Sequence, residues 1–234
     1  MSASVDLFIR SYRGDFEWLA HCLKSCELFA RGFRDIHIVV PEGDGHLLKH
    51  LTKEKVHECP KYPDDYLGQQ VTKLLADTYT DSDYVCHFDS DTIWTKPISP
   101  ELLITEGRPI AFYEPYSKLE GCHWQPIVAE TLGWVPQFEF MRRHPFVYPR
   151  WIYNELRTYL EARHRTPLAD YVTSRPHKSF SEFNVLGAFA WEKFRSKFEW
   201  KDPHQEEVYV RQFWSWGGIK ECLPEIEKIL NTPT

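Results

Sequence analysis

The 234-residue chain predicts an α/β fold in which a mostly parallel central sheet is flanked by helices, all within a single domain. Two observations carry that expectation. Short, nearly continuous apolar runs recur along the first half, as strands buried on both faces require. Between them lie stretches whose apolar residues repeat at helical spacing.

Val5 to Ile9 is the first such run, and it leaves through the turn-like stretch Arg10-Ser11-Tyr12-Arg13-Gly14-Asp15. Phe16, Leu19, Ala20 and Leu23 then predict a helix to about Ala30. Ile36 to Val40 is a second strand, closed by Pro41 and Gly43-Asp44-Gly45, and Lys55 to Cys59 is a weaker third. Residues 66–79, "YLGQQVTKLLADTY", carry Leu67, Val71, Leu74 and Leu75 on one helical stripe. Gln70, Lys73 and Asp77 form a polar stripe beside it. Tyr84 to Phe88 and Pro109 to Tyr113 are further strands. Beyond residue 115 prolines, aromatics and basic residues dominate, with helices over 150–163 and 181–195. No repeat or flexible linker divides the chain, so one domain over 1–234 is expected, with a change of character between 1–115 and 116–234.

Composition narrows the class. A content of 42% hydrophobic and 26% charged residues is that of a soluble globule, and no run of 18 apolar residues exists to span a membrane. The start, Met1 to Asp6, has neither a basic region nor an apolar signal core. The six cysteines show no CxxC spacing and several sit in apolar runs, which argues against zinc sites and a disulfide framework and for a reduced, cytoplasmic protein. A net charge of -6 argues against nucleic acid as a partner, although Arg142, Arg143, Arg150, Arg163 and Arg165 could form a local basic patch or simply a solvated helical face. The aromatic content is high at 15%, and grooves rich in such rings suit sugars as well as core packing.

The triplet Asp-Ser-Asp occurs twice, at 81–83 and at 89–91. With thirteen aspartates, roughly one Asp-x-Asp is expected by chance, so the spacing alone says little. Position separates the two. In open parallel sheets ligands sit beyond the carboxyl ends of strands. Asp81–Asp83 precedes the strand from Tyr84 and reads as a polar turn, whereas Asp89–Asp91 follows it, about 16 Å away along five extended residues. Carboxylate oxygens are hard ligands suited to Mg²⁺ or Mn²⁺, and two are too few for a closed cage. That shortage fits an ion that arrives with a substrate diphosphate.

The strand "YVCHFDSDTIW", followed by Lys96-Pro97-Ile98, resembles the metal-binding DxD segment of nucleotide-sugar glycosyltransferases of the GT-A fold. "LFIRSY" is similar to the first strand and loop of that fold, "GQQVTKLLADTYTDSDYVCHFDSD" to the helix before the metal strand, and "SFSEFNVLGAFAW" to the acidic segment that opens a late helix. The pattern looks closest to bacterial and phage glycosyltransferase-like proteins and covers about 5–115 and 177–192. The resemblance implies a Rossmann-like sheet, a nucleotide-sugar and metal-binding half over 1–115 and an acceptor-binding half over 116–234. It also implies a nucleoside diphosphate sugar donor, most often UDP-linked, a hydroxyl acceptor and Mn²⁺ or Mg²⁺ as cofactor. On it, Asp91 holds the metal, Asp89 touches the ribose or the metal through water, and Ser90 lies between them at the donor. Ser11, Tyr12 and Arg13 line the base pocket, and Gln70 and Lys73 reach the donor. Glu182 is the catalytic base or orients the acceptor hydroxyl, with Ser181 capping its helix, and His204 is the candidate third metal ligand. Either reading of Glu182 stands beside that of a simple acid stabilising a helix start.

Trp214-Ser215-Trp216-Gly217-Gly218 reads as an aromatic wall on a flexible hinge, or equally as a packed chain end; Trp124 and "RRHPFVYPRW" are candidates for an acceptor cleft. Three rivals remain. "DSDTI" approximates the aspartyl-nucleophile motif of haloacid-dehalogenase-type phosphatases, but beyond Asp91 only Asp170, Asp202 and Glu206-Glu207 could complete it. A sugar-nucleotide pyrophosphorylase would want more than the single glycine of "RSYRGD". A carbohydrate-binding protein on the same scaffold would have no need of the metal triplet.

Overall fold

Val5–Arg10 (β1) is buried at every position and lies at the centre of the main sheet. The computed structural model describes residues 3–121 and 123–231. From β1 the chain runs through Phe16–Phe29 (α1), Ile36–Pro41 (β2), Lys55–Cys59 (β3), Asp65–Leu74 (α2), Tyr84–His87 (β4) and Thr92–Trp94 (β5). Ile104–Thr105 (β6), Arg108–Phe112 (β7), Glu114–Pro115 (β8), Trp124–Leu132 (α3), Phe138–Glu139 (β9) and Phe146–Pro149 (β10) follow. Trp151–His164 (α4), Leu168–Thr173 (α5), Glu182–Phe194 (α6), Glu199–Lys201 (β11), Val210–Gln212 (β12) and Leu223–Leu230 (α7) complete it.

The sheet order is β10-β4-β1-β2-β3, with β1 to β4 mutually parallel and β10 antiparallel at the edge. Alternation along the strands sends side chains to two cores. Phe8, Val39 and Val85 face Leu67 and Val71 of α2, Ile152 and Leu156 of α4 and Phe183 and Leu186 of α6. Leu7, Ile9, Ile38 and Cys86 face Leu19, Cys22 and Phe29 of α1. Helices therefore cover both faces, as the sequence predicts. The strand and helix runs fall within a residue or two of the predicted ones, except that the 66–79 helix stops at Leu74 and the chain continues as a tighter turn over Ala76–Thr78.

Strand β10 and the C-terminal segment are the features that local sequence did not announce. Residues 146–149, within the stretch read as an acceptor cleft, complete the main sheet instead. Strand β12 returns across the chain to pair antiparallel with β5, opposing Val210 to Trp94 and Gln212 to Thr92. Phe213, Ile219 and Ile226 then close a small third core with Trp18 and Ile93. No helix among the described residues is long and apolar enough to cross a membrane. Three of the five arginines grouped as a patch are engaged individually: Arg142 meets Glu114 and Glu139, Arg143 the carbonyls of Glu206 and Glu207, and Arg150 that of Ser82.

Candidate functional site

The two triplets fall at opposite ends of β4. Upstream, Asp83 accepts from the Ser4 backbone N–H at 2.8 Å and its hydroxyl at 2.9 Å, and exposed Asp81 accepts from Arg34 at 2.6 Å. These bonds fasten the entry of β1, so this triplet is architectural. Downstream, Asp89–Asp91 leaves β4 at the carboxyl edge beside the end of β1, and it is enclosed by groups from four other parts of the chain.

Helix α2 delivers Lys73, whose Nζ lies 2.8 Å from Asp89 Oδ1 and 3.1 Å from Glu182 Oε1 at the start of α6. His144, just before β10, places Nε2 3.1 Å from Asp89 Oδ2. Burial alone would raise the Asp89 carboxyl, but the charges and hydrogen bonds of Lys73 and His144 override it and hold it well below the usual carboxylate range. Lys73 answers in kind: burial works against its charge, and Asp89 and Glu182 raise it above the ordinary lysine value. Gln70 Oε1 accepts the Glu182 N–H at 3.1 Å, so the glutamine satisfies one of the free N–H groups at the start of α6. The expected cap, Ser181, turns its hydroxyl to accept from Asn184 Nδ2 at 2.9 Å.

Asp91 sits in a different environment. Its Oδ2 accepts the Ser215 N–H at 2.9 Å and its Oδ1 the Gln212 carboxamide at 3.3 Å. Burial and the charge of Asp89 raise this carboxyl. Asp15, in the loop after β1, accepts from the Ser215 hydroxyl at 3.2 Å. Burial lifts it to about 6, with Asp91 adding to the rise and hydrogen bonds from Ser215 and Ser90 opposing it. The positive groups nearby are engaged elsewhere: Arg10 forks onto Asp65 at the start of α2, with Nη1 3.0 Å from Oδ2, and Lys73 and His144 hold Asp89. Among the described residues, Asp15 and Asp91 have no cation within ion-pair distance.

Sequence reasoning placed Lys73, Asp89, Ser90, Asp91 and Glu182 here, and the structure brings them together. Ser11 is buried at the end of β1 with an unpartnered hydroxyl, and Tyr12 is 40% exposed beside Asp15 and Asp65. Arg13 turns to Asp44, with Nε 2.9 Å from Oδ1. Gln70 holds α6 as described, and Asp77 of the same predicted stripe pairs with Arg157 at 2.8 Å. His204 is a correction: it stands exposed, 3.2 Å from Glu114, and the histidine that reaches the aspartates is His144. Glu206 and Glu207, considered for a phosphatase, pair with Lys201 and Lys96 at the surface.

Asp15 and Gln212 were not among the candidates, and His144 and Ser215 lay in stretches singled out for other roles, an acceptor cleft and an aromatic wall. Asp15 was within reach of the strand-polarity rule, since it too follows the carboxyl end of a central strand. The other three needed the long-range pairings of β10 and β12.

The family model that matches the chain spans residues 7–208 and describes a family of unknown function, DUF6492. The chain belongs to DUF6492. The DUF6492 span contains Asp15, Lys73, Asp89, Asp91, His144 and Glu182 and ends before Gln212 and Ser215. No curated protein matches the chain.

Another grouping has ligand chemistry. Asp6, Asp35 and His37 bring three ligand atoms within 4.8 Å at the amino edge of the sheet. Arg34 already fills that position, 2.7 Å from Asp6 Oδ2 and 3.4 Å from Asp35 Oδ2, and Lys55 adds a contact to Asp35 at 2.8 Å. Arg34 and Lys55 thus offset much of the charge of Asp6 and Asp35 from within. A groove of about 680 Å³ between α1 and residues 51–54 is lined by Leu23, Lys24, Glu27 and Leu51 together with Arg34 and Asp35 of this cluster, and by none of the residues around Asp89–Asp91.

Proposed function

We propose that the protein is a metal-dependent glycosyltransferase of GT-A type, moving a sugar from a nucleoside diphosphate sugar, UDP-linked in the first instance, to a hydroxyl acceptor. The observation that carries the reading is the charge imbalance at the carboxyl edge of β1 and β4. Asp15 and Asp91 are hard oxygen donors drawn together without a cation, beside an Asp89 that Lys73 and His144 fix in place. The donor set fits Mn²⁺ or Mg²⁺, which Asp91 and Asp15 would hold, with Asp89 oriented toward the ribose or the ion's water. Such an ion, when bound, neutralises the charge that develops on a leaving diphosphate.

The remaining residues have roles of their own. Ser11 Oγ and Arg10 Nε are buried without a partner among the described residues, so the end of β1 keeps hydrogen-bonding capacity for a polar donor group. Tyr12 offers a partly exposed ring at the same edge. Lys73 Nζ lies 3.1 Å from Glu182 Oε1 and Gln70 accepts the Glu182 N–H, so the side chain is held in one place at the start of α6. The orienting role for Glu182 is therefore favoured over the general base.

The test is a thermal-shift panel of UDP-, GDP- and ADP-sugars with and without Mn²⁺. At a concentration 100 times the Kd, binding should stabilise the protein by about 2.7 kcal/mol. At least one donor should do so only with the metal; a folded protein indifferent to all of them overturns the reading.

A further inference from the structure

We propose that residues 214–218 are a strap that rests on the aspartates without the cation and is displaced when a divalent cation binds, moving Trp214 and Trp216 at the rim of the site. The inference rests on the reading of Asp15 and Asp91 as the cation pair. Its core is one residue contacting two carboxylates. Ser215 donates its backbone N–H to Asp91 at 2.9 Å and its hydroxyl to Asp15 at 3.2 Å. It is therefore wedged where an ion bridging the two carboxylates must go.

The segment is built to move as a unit. Phe213 and Ile219 are buried anchors on the α1 side, and Phe213 N–H is fixed to the Asp91 carbonyl at 3.0 Å. Between the anchors the chain bulges outward: Trp214 is 57% and Trp216 86% exposed. Trp214 has φ +59, a left-handed conformation that a residue with a Cβ adopts at a cost and keeps only when its neighbours hold it. Gly217 and Gly218 have open space where a Cβ would stand, and Gly218 has φ +79. The contacts from Ser215 to the two carboxylates thus hold a conformation that the strap's own backbone disfavours. A cation that claims both carboxylates removes those contacts. Two large exposed rings then change environment with no change in the sheet beneath.

The experiment uses the full chain labelled with 5-fluorotryptophan, read by fluorine NMR during a Mg²⁺ titration, with calorimetry in parallel. W214F and W216F assign the two strap signals, and Trp94, fully buried and stacked on Phe88, serves as the fixed reference. Saturating Mg²⁺ should shift the Trp214 and Trp216 signals and leave Trp94 in place. S215P, which lacks the N–H, should bind Mg²⁺ about tenfold more tightly, the size of one charge-assisted hydrogen bond. S215A, which loses only the hydroxyl contact and demands no backbone change, should gain about threefold on the same scale. If Mg²⁺ binds, and D91A abolishes that binding, yet neither strap signal moves and neither Ser215 variant gains affinity, the strap is overturned while the cation site stands. If neither Mg²⁺ nor Mn²⁺ produces binding heat, alone or in the presence of UDP, the strap and the cation reading fall together.

Discussion

Lys73 and Glu182, 109 positions apart, meet as a buried ion pair with Nζ 3.1 Å from Oε1, and the same ammonium lies 2.8 Å from Asp89. One cation thus joins α2, the end of β4 and the start of α6. Replacing it by an apolar side chain of similar length leaves the buried Glu182 and the half-buried Asp89 without their shared partner. Breaking such a pair costs about 3–5 kcal/mol. K73M should therefore lower Tm by roughly 10 °C for a chain of this size. K73M/E182Q should be more stable than K73M alone, because one of the orphaned charges is gone. Calorimetric melting of the three proteins decides it; a K73M variant that melts like the parent would show that the pair contributes nothing.

Asp91 and Asp83 are the last residues of identical triplets, and strand direction alone separates them. D91A removes a carboxylate from the proposed cation pair and should abolish any Mn²⁺-dependent stabilisation by a nucleotide sugar. D83A loses exposed hydrogen bonds to Ser4 and should retain that response, with a stability loss of about 1 kcal/mol or less. Equal behaviour of the two variants in the thermal-shift panel would refute the argument from strand polarity.

Strand direction is legible in the sequence because the strands themselves are. Val5 to Ile9, Ile36 to Val40 and Tyr84 to Phe88 are legible because each is a short apolar run ended by turn residues, and both faces of a parallel sheet demand such runs. Lys73 and Glu182 were candidates because their segments resemble those of a known family, and their places on a polar stripe and at a helix start agreed with it. Their meeting was not legible, since nothing local to either encodes a contact over that span. His144 joins the site because β10 pairs antiparallel with β4, and Ser215 because β12 pairs with β5. Both strands are only three or four residues long, too short to print a period on the sequence. Asp15 had a signal, the carboxyl end of β1, but no second acid beside it to draw notice.

Gly187 lies on the face of α6 that presses against Phe140. A Cβ there would stand 2.4 Å from Phe140 Cβ and 2.5 Å from its Cγ, contacts that force the helix or the loop to shift. Phe140 cannot retreat freely, because its N–H is held by Asn184 Oδ1 at 2.8 Å on the same helix. Overpacking of this kind costs about 1–3 kcal/mol, and the gain of up to about 1 kcal/mol from replacing a mid-helix glycine offsets only part of it. G187A should lower the urea midpoint. G217A, where the same Cβ meets open space, should leave it almost unchanged. If G187A proves as stable as the parent, α6 is less tightly seated than its contacts with Phe140 imply.

Asp6 is fully buried at the other end of β1, bound by Arg34 at 2.7 and 3.0 Å, by His37 at 3.1 Å and by the Thr80 hydroxyl. Burial alone would raise its carboxyl, yet these bonds together hold it well below its ordinary 3.8. A carboxyl whose folded value is depressed contributes stability that is fully present above the unfolded value and is lost as pH falls below it. The parent should therefore exceed D6N by about 3–5 kcal/mol near neutral pH, the cost of breaking a buried charge network. The advantage should hold down to about pH 4 and shrink as the solution is acidified further, because the unfolded chain then takes up a proton that the folded Asp6 refuses. Urea titrations at pH 7, 5 and 3 measure the gap directly. A gap that stays constant through pH 3 would mean that the network stabilises the fold through packing and neutral hydrogen bonds, with no part played by the ionised carboxylate.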